Sequence, residues 1–269
     1  MNAKHLTRKD LSALVPQYPS NFFHKKAAFT LAEGATHVAH WKDSRKVAFT
    51  LAEVLITLGI IGVVAALTLP NLIANYQKKV TATKLHQAYN FLQQVFVNAQ
   101  AEYGDMDTWD CFRPNTCSTE TFANTYIVPY INEELKTYPN LLVAGYKEYP
   151  KQLNGSSMLA SVKQILQTKQ NYIYMIYFYD TQDSTRRIFN IAIDINGKSS
   201  PNILGKDIFI TTTGHSADHQ KHYKLQMYNY ENYKKSNILK YTCNKTLNSE
   251  SCGALIEMDN WEISKDYPW

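Results

Sequence analysis

Lys46–Leu69 reads KVAFTLAEVLITLGIIGVVAALTL, and the rest of the chain takes its meaning from it. Basic residues lead into a short polar junction and then into apolar helix. From Phe49 to Leu69 there are 21 residues and one charge, Glu53. At helical rise that is roughly 31 Å, the thickness of a bilayer's hydrocarbon core. Lys42, Arg45 and Lys46 stand just before it, so the positive-inside rule puts residues 1–48 in the cytoplasm and the remainder outside. The run is longer than the apolar core of a cleavable secretory signal, and no A-x-A-type site closes it. A plain signal anchor is the simplest reading, but Glu53 argues for more. A carboxylate in the outer turns of a membrane helix costs about 3 kcal/mol and ordinarily has a partner.

Ala48-Phe49-Thr50-Leu51-Ala52-Glu53 followed by an uncharged helix resembles the processing site of type IV prepilins and type II secretion pseudopilins. The family most often has Gly where this chain has Ala48, another small residue. The resemblance implies cleavage between Ala48 and Phe49 by a prepilin peptidase, methylation of the Phe49 amine, and pairing of Glu53 with the N-terminal amine of a neighbouring subunit. Pro70 also stands where the family commonly has a helix-kinking proline. The partners implied are the peptidase, the inner membrane, and other pilin or pseudopilin subunits.

Charge divides the chain at the same place. Residues 1–48 hold eight Lys/Arg against three Asp/Glu, a net of +5, while the remaining 20 basic and 20 acidic residues cancel. The basic pI therefore belongs to the leader and argues against a nucleic-acid-binding head. All four cysteines, Cys111, Cys117, Cys243 and Cys252, follow the apolar run. An even count outside the membrane reads as two disulfides, with three pairings open. The spacings C-x5-C and C-x8-C fit zinc knuckles poorly.

Residues 1–45 show no sustained period. Within them Lys26-Ala27-Ala28-Phe29-Thr30-Leu31-Ala32-Glu33 nearly repeats the processing motif, without an apolar run after it. Four regions are expected: a leader over 1–48, removed on processing; a transmembrane helix over 49–69; its amphipathic continuation over 70–103; and a head over 104–269. Pro70 is expected to kink or loosen the helix. Beyond it Ile73, Val80, Ala88, Leu92, Val95, Phe96 and Ala99 recur at helical spacing and offer a stripe to the head. Thr119–Tyr130 and Met158–Gln167 read as short helices. Asn171–Asp180 and Arg186–Asn196 read as strands around a turn at Gln182-Asp183-Ser184, and Asp207–Thr213 as a third strand. Asp266-Tyr267-Pro268-Trp269 is expected to dock on the head, since free aromatic residues would expose apolar surface. The fold class is thus α+β: a long transmembrane-to-amphipathic helix packed on a small antiparallel sheet, as the resemblance to pilins implies.

The remaining candidate sites weigh towards structural roles. Asp194, Asn196, Asn202 and Asp207 are oxygen donors in a Gly-bearing loop. Some pseudopilin heads hold calcium near such a loop, but no closing Glu of EF type is present, and turn-setting is the simpler reading. No other cofactor is expected. His215, His219 and His222 would share a face on a helix, yet read as a polar loop. The 19 tyrosines lack the basic groove that base stacking needs, so they read as strand packing. No phosphate loop, nucleophile elbow or framed carboxylate pair is found, and no enzyme is expected. The expected function is a structural subunit of a pilus or pseudopilus, in the bacterial inner membrane with its head periplasmic or extracellular. The alternative is a membrane-anchored minor pilin-like adhesin or DNA-uptake component.

Overall fold

A computed structural model describes residues 50–180, 186–214, 223–230 and 233–269. Ala48, Phe49, the near-repeat over 26–33, the turn at Gln182–Ser184 and the three histidines His215, His219 and His222 lie outside these residues.

Helix α1 runs Leu51–Tyr103, 53 residues without a break. Pro70 lies inside it: Pro70 forgoes its own ladder bond, and the helix continues on both sides, as the expected continuation over 70–103 requires. The helix has two regimes. From Leu51 to Leu72 its large apolar side chains are uncovered, Leu51 at 78% and Leu72 at 65% exposure. This segment is long and apolar enough to cross a membrane. From Ala82 onward one face is buried: Ala82, Leu85, Ala88, Tyr89, Leu92, Val95, Phe96 and Ala99. The expected stripe is right from Ala88 on. It begins later than expected, since Ile73 is exposed and Val80 only half-buried.

The head is a six-stranded antiparallel meander, β1 Lys136–Tyr138, β2 Gln164–Gln167, β3 Ile173–Asp180, β4 Arg187–Asp194, β5 Ile208–Thr212 and β6 Gln226–Met227, in that spatial order. The whole is α+β, a long helix followed by an antiparallel sheet. Register follows alternation: Tyr174 faces Ile193, Ile176 faces Ile191, and Ile193 faces Phe209. These side chains share one face and one apolar cluster with α1. The opposite face, with Ile173, Met175, Ala192, Ile208 and Ile210, packs under Leu141, Tyr146, Leu159 and Leu204. Both faces being covered, all eight residues of β4 are buried. Met158–Gln167 is not a helix; its second half is β2, whose Leu166 sits opposite Tyr174.

Short helices close the head. α2 (Thr119–Tyr126) starts at a Ser118 side-chain cap on the Thr121 amide, 3.0 Å away. A one-turn α3 covers Leu141–Ala144, and α4 (Lys235–Asn237) leads to α5 (Cys252–Met258). α2 sends Phe122 inward to stack on Phe189 at 3.8 Å, and Tyr126 onto Trp109 at 4.1 Å. Cys111 is joined to Cys117, and Cys243 to Cys252. The first disulfide loop is fastened to the sheet by Arg187, buried at 4% exposure. Its guanidinium donates to both oxygens of Asp180 (2.8 and 3.2 Å) and to the Cys117 carbonyl (2.6 Å), over the Phe178 ring. The final residues dock as expected: Trp261 stacks on His86 of α1 at 4.3 Å, and the buried Tyr267 hydroxyl donates to the Gly205 carbonyl at 2.6 Å.

Phe122 is fully buried and stacked, so Phe122→Ala should cost about 3–5 kcal/mol of stability. Urea unfolding of the full chain in detergent reads this. Val97→Ala, on the exposed side of α1, should shift the midpoint by a small fraction of that.

Candidate functional site

The candidate residues fall at two places, the start of α1 and the β4–β5 connection. At the helix start, Thr50 and Glu53 form a reciprocal capping box. The Thr50 amide and hydroxyl donate to Glu53 Oε2 at 2.8 and 2.9 Å, and the Glu53 amide donates to Thr50 Oγ1 at 3.2 Å. Two donors that a helix start leaves unpaired are thereby satisfied, and the one acid of the apolar run has a partner within its own turn. The pairing was readable in the sequence: Thr50-Leu51-Ala52-Glu53 has the T-x-x-E spacing, and Thr50 is the residue that reasoning about Glu53 alone passes over. The helix surface above it is open, with no atom within 4 Å of where a Cβ would stand at Gly59 or Gly62.

The β4–β5 connection gathers Asp194, Asn196, Asn202 and Asp207. Asp207 is the hub: its Oδ2 accepts from the Asn202 amide at 2.8 Å and the Asn196 side-chain nitrogen at 3.2 Å, and its Oδ1 from the Ile203 amide at 2.6 Å. Asp194, at the end of β4, accepts from the Tyr146 hydroxyl at 2.6 Å and the Asn196 amide at 3.1 Å. Gly197 takes φ +67, with the Asn171 side chain pressed where a Cβ would be, so the turn needs glycine there. As arranged, the carboxylates face N–H and O–H hydrogens, and a calcium ion would have to displace them. The four residues instead tie a long connection to the end of strands β4 and β5, the turn-setting reading. Among the described residues no group of three or more His, Cys, Asp or Glu side chains gathers as metal ligands do.

Burial, and then the Asp207 charge, push the Asp194 carboxyl up to about 8, against the pull of the Tyr146 hydroxyl and the Asn196 and Gly197 amides. Burial also raises Asp207, opposed by the Ile203 and Asn202 amides. Beside this network opens a recess of about 360 Å³ lined by Lys147, Tyr149, Lys151, Lys198 and Pro201. Lys198 is spent on the Ala144 carbonyl at 2.7 Å, and Lys151 on Glu148 at 2.8 Å.

Residues 71–269 match the model of DUF6613, a family of unknown function. The chain belongs to that family. The DUF6613 match takes in the amphipathic half of α1 and the whole head. It begins immediately after Pro70, so the apolar segment and the processing motif lie before it. No curated protein and no solved structure matches the chain.

Asp194 has its folded-state pKa above its unfolded value, so the protonated form favours folding. Its contribution is complete below about pH 4 and is lost as pH rises towards about 8. Stability should therefore decline over that window. Asp194→Asn, which keeps an acceptor for Tyr146 but cannot ionise, should flatten the decline; urea midpoints at a series of pH values measure it.

Proposed function

We propose that this chain is a structural subunit of a type IV pilus-like or type II secretion pseudopilus fibre, processed by a prepilin peptidase and assembled through its N-terminal helix. The observation that carries the reading is the division of α1. One continuous helix buries its distal face in the head while its first half, apolar all round, touches none of it. A helix of that kind has two solvents for its free half. One is lipid, and the other is the same half of neighbouring copies. Gly59 and Gly62 leave flat places where such helices approach closely.

In this reading Phe49 is the first residue after cleavage at Ala48, four positions before Glu53 in the sequence. The Glu53 carboxylate then exchanges its own capping bonds for the amine of an adjoining copy. Two charges that are costly in apolar surroundings neutralise each other, and the exchange fixes the stagger between copies. Helix packing supplies most of the cohesion, and the head supplies the surface of the fibre. The head would lie on the periplasmic or extracellular side, where Cys111–Cys117 and Cys243–Cys252 persist. No catalytic role is assigned to the chain. The second reading, a membrane-anchored minor pilin-like binding protein (an adhesin or DNA-uptake component), would place a ligand on the head.

Intact-mass and N-terminal analysis of the membrane-extracted protein should find a chain beginning at methylated Phe49. Recovery of residues 1–48 still attached, in a cell holding the peptidase, would refute the proposal. Glu53→Ala should leave membrane insertion and cleavage in place and lower fibre yield about tenfold or more, the loss of one charge pair in apolar surroundings. Fibre counts by electron microscopy read it.

A further inference from the structure

The 20 basic and 20 acidic residues beyond the leader cancel in number but not in place. Residues 71–90 carry Lys78, Lys79 and Lys84 and no acid. Residues 91–110 carry Glu102, Asp105, Asp107 and Asp110 and no Lys or Arg. Lys79 and Glu102 are 23 residues apart on one helix, which is about 35 Å along its axis. The other three acids sit on the link that follows α1, around two 3-10 turns at Met106–Thr108 and Asp110–Phe112. Trp109 of that link stacks on Phe96, still about 25 Å from Lys79 along the axis. These separations are three or more times the Debye length of about 8 Å. Within one copy, neither end neutralises the other.

Both ends face outward. At the basic end Lys78, Lys79 and Lys84 are in no ion pair among the described residues. Lys78 and Lys79 form one wall of a groove of about 480 Å³, with Trp261 and Glu262 on the other. At the acidic end Glu102, Asp105, Asp107 and Asp110 are all exposed. Glu102 accepts from the Tyr130 hydroxyl at 2.7 Å and Asp107 from the Tyr223 amide at 2.8 Å, bonds that leave the negative charge in place. Arg113 pairs with Asp110 at 3.4 Å across open solvent, a weak offset. The link itself is held firmly. Trp109 Nε1 donates to the Gly104 carbonyl at 3.0 Å, the Thr116 hydroxyl donates to the Asp110 carbonyl at 2.6 Å, and Cys111–Cys117 closes the loop. A surface set in advance loses little entropy when a partner meets it.

We propose that these two ends dock on each other between copies: the acidic link of one copy seats against the Lys78–Lys84 end of a second copy. The inference rests on the fibre reading and adds a second contact to it. The four-residue spacing of Phe49 and Glu53 gives copies that share that pair a stagger of about 6 Å. The charge contact needs an offset of about 25–35 Å, so it joins copies further apart along the fibre. It brings together two unlike patches, the kind of interface that propagates from copy to copy and does not close as a symmetric dimer.

The test applies a zero-length carbodiimide, which joins a lysine amine to a touching carboxylate, to fibres of the full native chain, followed by peptide mass spectrometry. The expected products join Lys78 or Lys79 to Asp105, Asp107 or Asp110. The separation within one copy forbids that bond, so each such product reports two copies, and no variant has to fold. Their yield should fall about threefold or more between low and high salt. K78E/K79E and D105K/D110K should each lower fibre yield about threefold or more, and the chain carrying all four substitutions should regain it. Fibres whose cross-links never join these two segments overturn the docking and leave the fibre reading standing. So does a four-substitution chain that inserts and is processed normally yet assembles no better than either pair. Cross-links from Lys78 and Lys79 to a different polypeptide assign that end to another partner and overturn the docking too. A processed native chain that forms no fibre overturns the fibre reading, and the docking with it.

Discussion

The seating of the distal face of α1 against one face of the sheet is the contact on which the head depends. Leu85, Ala88, Tyr89, Leu92, Phe96 and Ala99 are almost wholly buried, and they share one cluster with Tyr174, Ile191, Ile193 and Phe209. Fully burying such side chains stabilises by roughly 1.5–3 kcal/mol each, before the entropy of ordering them is charged against it. Ala88 lets the sheet approach closely, and the Tyr174 hydroxyl uses the proximity to donate to the Ala88 carbonyl at 3.0 Å. The tail then wraps the same helix through Trp261 on His86. Without α1 the sheet would present an apolar face with nothing to cover it.

How much of this could be read from the residues depended on period and length. The helix was legible because 3.6-residue periodicity and an uncharged run are long signals. Strands β3, β4 and β5 were legible because Tyr, Ile and Phe cluster in them between turn residues. Strand β1, three residues long, carries too little pattern to be seen. Strand β2 was misread as helix because Gln164-Ile165-Leu166-Gln167 is apolar at adjacent positions, which fits either element. The end of α1 at Gly104 was visible, and so was its continuation past Pro70.

At the candidate sites the outcome divides differently. The four Asx residues of the β4–β5 connection were correctly brought together as a group, but their partner Tyr146 lies 48 residues from Asp194, a distance no local spacing reveals. The second covering layer, from Leu141 to Leu204, was hidden for the same reason. The uninterrupted apolar character of Ile191-Ala192-Ile193 was its one local trace, since a strand with a wet face would alternate. The Thr50–Glu53 box sat in plain view in the T-x-x-E spacing, overshadowed by the family motif that contains it.

The meander also ends in two very short edges, β1 with three residues and β6 with two. An edge strand recruits another chain by offering a row of free amides and carbonyls, and a run this short offers almost none. Among the described residues, the two edge strands themselves give strand donation from copy to copy little to build on. A contact between copies, were one made, would fall to the rod and to side-chain surfaces, leaving each sheet self-contained.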